Sequence, residues 1–325
     1  MKNIAFYKNY FVFLRWLMIE LATQHLQMSL HLPEDGFYRG TRFDHSGVWD
    51  SLLFRGVELC GRWFTAYNPL MHDVVCGPAE EFSLFLPASV APLAVKVGVG
   101  LLQLDNAPYD RFKLYPVLDG GEWTVKAGPE AVRYCHRLKG FYEYEKTVAL
   151  TGEASFEIRH ELRGIYEGEV YNHNFFTMGK MEVGPSRLID FPFTPDGTWR
   201  AAYDSVGFTA SGVRFSRRLG AGESVYCGNI NARAQAGGTL PSASYNLPKS
   251  AEGDASSALS TGMPYQMSIA EGPLRVSVEG SVPVSRTVLW ANHRIACLEP
   301  YNTLSVGPAA PARWTVRYAL QCADT

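Results

Sequence analysis

The sequence predicts an all-β chain, an antiparallel sandwich forming one large domain. Three observations lead there. About fifteen short runs rich in aromatic and β-branched residues recur along the chain, each bounded by Gly, Pro, Asp or Asn. Beyond residue 27 no stretch keeps a 3.6-residue apolar period over three turns. Only 19% of residues are charged, while 30 glycines and 19 prolines supply turns. The 325 residues, 46% hydrophobic and 13% aromatic, are enough to bury a sizeable core.

Residues 1–26 read as an N-terminal extension. The run Phe11 to Ala22 is apolar but interrupted by Arg15 and Glu20. That leaves three readings: an amphipathic helix, a weak signal-like segment, or translation upstream of the natural start. It is too short and too charged for stable insertion in a membrane. The domain proper is expected over 27–325. Met28–Leu32 alternates, Gly36–Asp44 is a glycine-bounded aromatic segment, and Val48–Phe54 is a strand ended by Arg55-Gly56. A loop carrying Tyr67, Asn68, His72, Asp73, Glu80 and Glu81 follows.

Further strands are expected at Leu93–Leu104, Phe112–Leu118, Trp123–Val125, Phe141–Leu150 and Ser155–Leu162, then at the run Tyr171–Thr177. The rest fall at Arg187–Phe193, Val213–Leu219, Ser224–Asn229, Tyr265–Ile269, Leu274–Val278, Thr287–Ala291, Ile295–Glu299 and Trp314–Leu320. Residues 234–262, rich in Ala, Ser and Gly, read as a long surface loop.

Charge and cysteine usage narrow the function classes. With 30 basic against 32 acidic residues and no basic stripe, nucleic acid is not an expected partner. Six cysteines lie scattered without CxxC or zinc-like spacing. They read as free thiols of a reducing compartment, so a cytoplasmic location is expected.

Two stretches carry the chemistry. In Tyr171-Asn172-His173-Asn174-Phe175-Phe176-Thr177 one histidine stands between two asparagines on a β-favouring run. In Ala296-Cys297-Leu298-Glu299-Pro300-Tyr301 one carboxylate interrupts an apolar run, and a buried acid needs a partner or a task. If His173 and Glu299 face one cleft they form a general acid and base pair suited to a sugar hemiacetal, without metal or cofactor. Competing constellations are weaker. His72-Asp73 and Glu80-Glu81 lack a zinc or calcium pattern. Glycoside hydrolysis would need two carboxylates across one bond, such as Glu80 or Glu81 with Glu299. No GxSxG occurs, and Gly98-Val99-Gly100 is not a nucleotide loop. Trp49, Trp63, Tyr67 and Trp290 are either core or stacking platforms for a sugar ring.

Tyr38-Arg39-Gly40-Thr41-Arg42-Phe43-Asp44, His72 to Phe82, Asn172 to Phe176 and Cys297-Leu298-Glu299 together resemble the aldose 1-epimerase (galactose mutarotase) superfamily, more closely a bacterial branch of it. The resemblance runs from about Leu30 to the C-terminus. It implies a β-supersandwich and an isomerase interconverting α and β anomers of a small carbohydrate. In mutarotases an Asn-His-aromatic-Phe segment carries the histidine that protonates the ring oxygen, a role that falls on His173. A Cys-Leu-Glu segment carries the base that takes the anomeric hydroxyl proton, which falls on Glu299. Mutarotases also carry an earlier His-Gly-Gly, and this chain has no His-Gly pair. By position His72 is the nearest substitute, with Lys96, Arg42 (or Arg62), Glu81 and Asn172 as further candidate substrate contacts. Two alternatives stay open: a carbohydrate-binding protein of this fold with little turnover, and an epimerase-like enzyme on acidic or phosphorylated sugars. A sugar phosphate would want a basic cluster, which no run of the sequence presents.

Overall fold

In the computed structural model the described residues are 18–86, 92–191, 193–195, 199, 201–230, 264–308 and 310–323. They form an antiparallel all-β sandwich. Helix among them is limited to short 3-10 turns such as Pro33–Asp35 and His72–Val74. None of their helices is long and apolar enough to cross a membrane.

A ten-stranded sheet forms one layer. From one edge to the other its strands are Val206–Phe208, Gly212–Phe215, Arg187–Asp190, Pro264–Glu271, Leu274–Pro283, Ala312–Cys322, Ser155–Gly164, Tyr142–Gly152, Ala131–Leu138 and Glu122–Ala127. A five-stranded sheet faces it, in the order Ser224–Cys227, Arg286–Asn292, Ala296–Val306, Tyr166–Phe175, Gly77–Phe82. The two share a core because their strands alternate inward apolar residues with outward polar ones. Ala131–Leu138 and Tyr142–Leu150 show that period-two burial plainly. Between the layers Phe82 packs edge-on against Tyr144 at 5.2 Å, and Phe176 against Tyr318 at 6.4 Å.

The interlayer space also holds polar groups, several of them tightly partnered. Lys146, buried, bonds Glu80 and the Ser46 carbonyl and stands 3.5 Å from Asp44. Tyr318 donates to Asn172 at 3.2 Å and to Asn174 at 3.1 Å, and Tyr265 donates to Asn172 at 3.2 Å. Buried charges and amides are tolerable only when satisfied in this way.

Several expectations need correction. Met18–Ala22, read as the end of a helical or signal-like extension, is a strand that pairs with Leu26–His31. Leu21 is fully buried there, so the folded domain begins before residue 27. Residues 1–17 lie outside the described residues, as does the surface loop expected at 234–262. The run Leu93–Leu104 is two strands, Leu93–Lys96 and Gly100–Gln103, because Gly98 takes φ 75° and turns the chain. Of Phe112–Leu118 only the end is paired, in Val117–Asp119. Ala131–Leu138, where arginine and histidine break the apolar signal, is a further strand. Gly77–Phe82, read as part of a loop, is a wholly buried edge strand of the five-stranded sheet. All six cysteines are free.

Candidate active site

Register builds the site. Along the central pair of the five-stranded sheet, Tyr171 lies opposite Tyr301 and Phe176 bridges Ala296. One register joins these two points and sets His173 opposite Glu299. The neighbouring ladders place Glu81 opposite Tyr171, Val288 opposite Glu299 and Arg286 opposite Tyr301. Because side chains alternate, one face of the sheet becomes a grid. Its first row is Glu81, Tyr171, Tyr301 and Arg286. Its second is Ala79, His173, Glu299 and Val288. Its third is Gly77, Phe175, Cys297 and Trp290, with Tyr226 beyond. Glu80, Asn172 and Asn174 point the other way, into the interlayer core.

His173 is fully buried between two carboxylates. Its Nε2 lies 3.1 Å from Glu81 Oε2, in hydrogen-bond alignment. Its Nδ1 stands 3.1 Å from Glu299 Oε1, within ion-pair reach. That second contact is off the hydrogen-bond direction, and Nδ1 has no hydrogen-bond partner among the described residues. Phe43 packs edge-on at 5.0 Å and Phe175 stacks at 5.2 Å, which fixes the ring. Burial alone would push the imidazole down; Glu299 and Glu81 outweigh it and hold the ring above its ordinary value. Glu299 is the outermost of the three, with 7% of its side chain exposed.

Glu81 binds three cations at once. Arg42 donates from Nε to Oε2 at 2.8 Å, and Arg111 NH1 stands 3.6 Å from Oε1. Burial opposes its charge, but Arg111 and Arg42 hold this carboxyl well below the usual range. Arg42 reaches in from the aromatic loop and lies over Phe43 and Phe112. Arg111 lies against the Tyr171 ring at 5.1 Å and Arg286 against Tyr301 at 4.1 Å, the two rings being stacked at 4.0 Å.

The other sequence candidates are distributed as follows. Arg42 and Glu81 lie beside His173. His72 sits at the rim, 2.8 Å from Asp73 and edge-on to Phe112. Lys96 is buried behind the site, where it bonds the Phe82 carbonyl and the Tyr109 hydroxyl. Asn172 faces the opposite side of the sheet. Arg62 pairs with Asp50 on the surface. Trp63 and Trp290 meet at 5.6 Å beside Phe175, whereas Trp49 is core. Arg111, Arg286 and Tyr226 carry no motif. The available signals are a charge inside the aromatic loop Tyr109–Phe112, and an arginine two positions before Val288.

His173, Cys297 and Glu299 place three donor atoms within 4.8 Å of one another. Burial pushes the Cys297 thiol well above its ordinary value, so a cation would have to displace its proton.

No family profile matches the chain, and no curated protein matches it in sequence. Solved structures do match in fold. A candidate aldose 1-epimerase from Escherichia coli K12 superposes with TM-score 0.50 at 12% identity, covering 94% of this chain and 99% of that one. The Slr1438 protein of Synechocystis sp. PCC 6803 gives 0.52 at 14% identity, covering 99% and 100%. A candidate aldose 1-epimerase from Klebsiella pneumoniae gives 0.52 at 10% identity, covering 92% and 77%. The chain therefore has the galactose mutarotase-like sandwich fold.

Proposed function

We propose that the protein is an isomerase of the aldose 1-epimerase kind, opening and reclosing a sugar hemiacetal by acid and base catalysis. One observation carries this reading: an imidazole and a carboxylate meet on one sheet face, with a second carboxylate behind the ring. Glu299 is the base that takes the anomeric hydroxyl proton. His173 is the acid that protonates the ring oxygen from Nδ1. Glu81 holds Nε2, fixing which nitrogen delivers the proton. When Glu299 turns toward a sugar hydroxyl it leaves Nδ1, so the proton is freed as the base engages. The ring opens, the C1–C2 bond rotates, and reclosure returns both protons with the other anomer formed.

A second reading also has an observation in its favour. His173 Nδ1 and Glu299 Oε1 stand 3.1 Å apart, with no room for a pyranose between them. A carbohydrate-binding protein that never parts the pair would look the same.

Anomer equilibration of freshly dissolved α-D-glucose, α-D-galactose and acidic sugars, followed by proton NMR, separates the two readings. Catalysis is expected to fall by about 100-fold or more in His173→Ala and in Glu299→Gln. Sugar binding by wild type with no acceleration of any sugar would leave only the binding reading.

A further inference from the structure

We propose that the substrate is an anionic sugar, and that Arg111, with Arg286 beyond it, receives the anionic group above the stacked Tyr171–Tyr301 pair. This rests on the anomerase reading and names its substrate class.

On this sheet face Glu81 is one carboxylate shared by two guanidiniums, Arg42 and Arg111, and by the His173 imidazole. Two permanent positive charges thus lean on one buried carboxylate, in surroundings where an uncompensated charge is costly. Asp73 acts on Arg42 only from the rim, where it is held by His72. Arg286 has its own carboxylate, Glu169 at 2.9 Å.

Geometry selects Arg111 as the receiving group. Arg42 is held at Glu81 by a direct 2.8 Å bond, and His173 is enclosed. Arg111 stands 3.6 Å from Glu81, longer than a hydrogen bond, and bonds the Tyr301 hydroxyl, and 22% of its side chain is exposed. Arg286 is 24% exposed, and its Nε is buried with no hydrogen-bond partner among the described residues. Each guanidinium rests against one ring of the tyrosine pair, which fixes its plane and lowers the entropy cost of a two-point contact with an oxyanion. The buried tyrosine pair backs the two guanidiniums beside Glu299, whose neighbour on the strand face is Tyr301. A carboxylate and a phosphate share the needed chemistry, so the class stated is a sugar bearing an oxyanion away from C1.

The test compares D-glucose, D-glucuronate and D-glucose 6-phosphate as substrates of the full chain, reading KM and kcat by NMR exchange, with binding by calorimetry. One or both anions are expected to be preferred over glucose in kcat/KM by about tenfold or more. That preference should shrink as salt is raised. It should collapse in Arg111→Gln, with partial recovery in Arg111→Lys. Preference for glucuronate identifies a carboxylate and preference for the phosphate a phosphoryl group; either supports the proposal. Turnover of glucose with no anion preference, or a preference that survives Arg111→Gln, overturns it and leaves the anomerase reading intact. Arg111-dependent binding of an anion without any acceleration supports the subsite and overturns the anomerase reading instead.

Discussion

Glu81 shows at the scale of one residue how a buried carboxylate can act without touching substrate. It accepts Arg42, orients His173 through Nε2 and draws in Arg111. Removing its charge while keeping its shape should therefore change the acid rather than the base. In Glu81→Gln the imidazole loses one of the two carboxylates that raise its pKa, so the cation is lost at lower pH. An acid works only while protonated. The alkaline limb of the pH–rate profile, where loss of that proton stops turnover, should then move to lower pH. A profile with an unmoved limb, in a variant of normal melting behaviour, would show that Glu81 serves packing alone.

At the scale of the element, the edge strand Gly77–Phe82 decides which chemistry goes where. Adjacent glutamates would be a cluster on a loop or a helix. On a strand the pleat sends Glu80 to Lys146 in the core and Glu81 to the cleft. The strand begins at a glycine that the local geometry requires. Gly77 has φ +66°, and a Cβ there would meet Cys60 Sγ at 2.9 Å and Trp49 at 3.0 Å. Gly77→Ala is expected to cost about 1–3 kcal/mol. It should also lower kcat by disturbing the Glu81 position, which urea unfolding and single-turnover rates would read separately. Wild-type stability in Gly77→Ala would mean that the backbone relaxes without cost.

For the whole molecule, buried titratable groups predict acid lability. His136 and His160 are enclosed, and desolvation pushes each down to about 4. Unfolding restores an ordinary imidazole, so the unfolded chain binds more protons between pH 6.5 and pH 4. Stability from these two groups is complete above that window and is lost as pH falls through it. Each contributes up to about 3 kcal/mol. Asp44 works in the opposite sense: burial raises it to about 6, so it is neutral in the fold over the same range and favours the folded state as pH falls. Of these three groups alone, two histidines against one aspartate leave a net loss of about 3 kcal/mol from pH 7 to pH 4; His45, held down, adds to it, and His31 and His173, held up, oppose it. Urea midpoints at the two pH values measure it, and a midpoint that holds or rises at pH 4 would contradict it.

The sequence by itself determined the fold class, because alternation and turn residues are local and every strand repeats them. It also put forward Glu299, since a lone carboxylate in an apolar run is visible without knowing its neighbours, and His173, whose segment resembles that of mutarotases. Pairing is not local. Tertiary structure alone decided that His173 lies opposite Glu299, that Glu81 shares its sheet face while Asn172 turns away, and that Lys96 bonds the Phe82 carbonyl and the Tyr109 hydroxyl. It also brought Arg42 and Arg111 to Glu81 and set Arg111 and Arg286 against two stacked tyrosines, from three segments that share no motif. A cluster of charges drawn from distant strands and loops is created by register, and register is fixed only when the two sheet faces choose core or cleft.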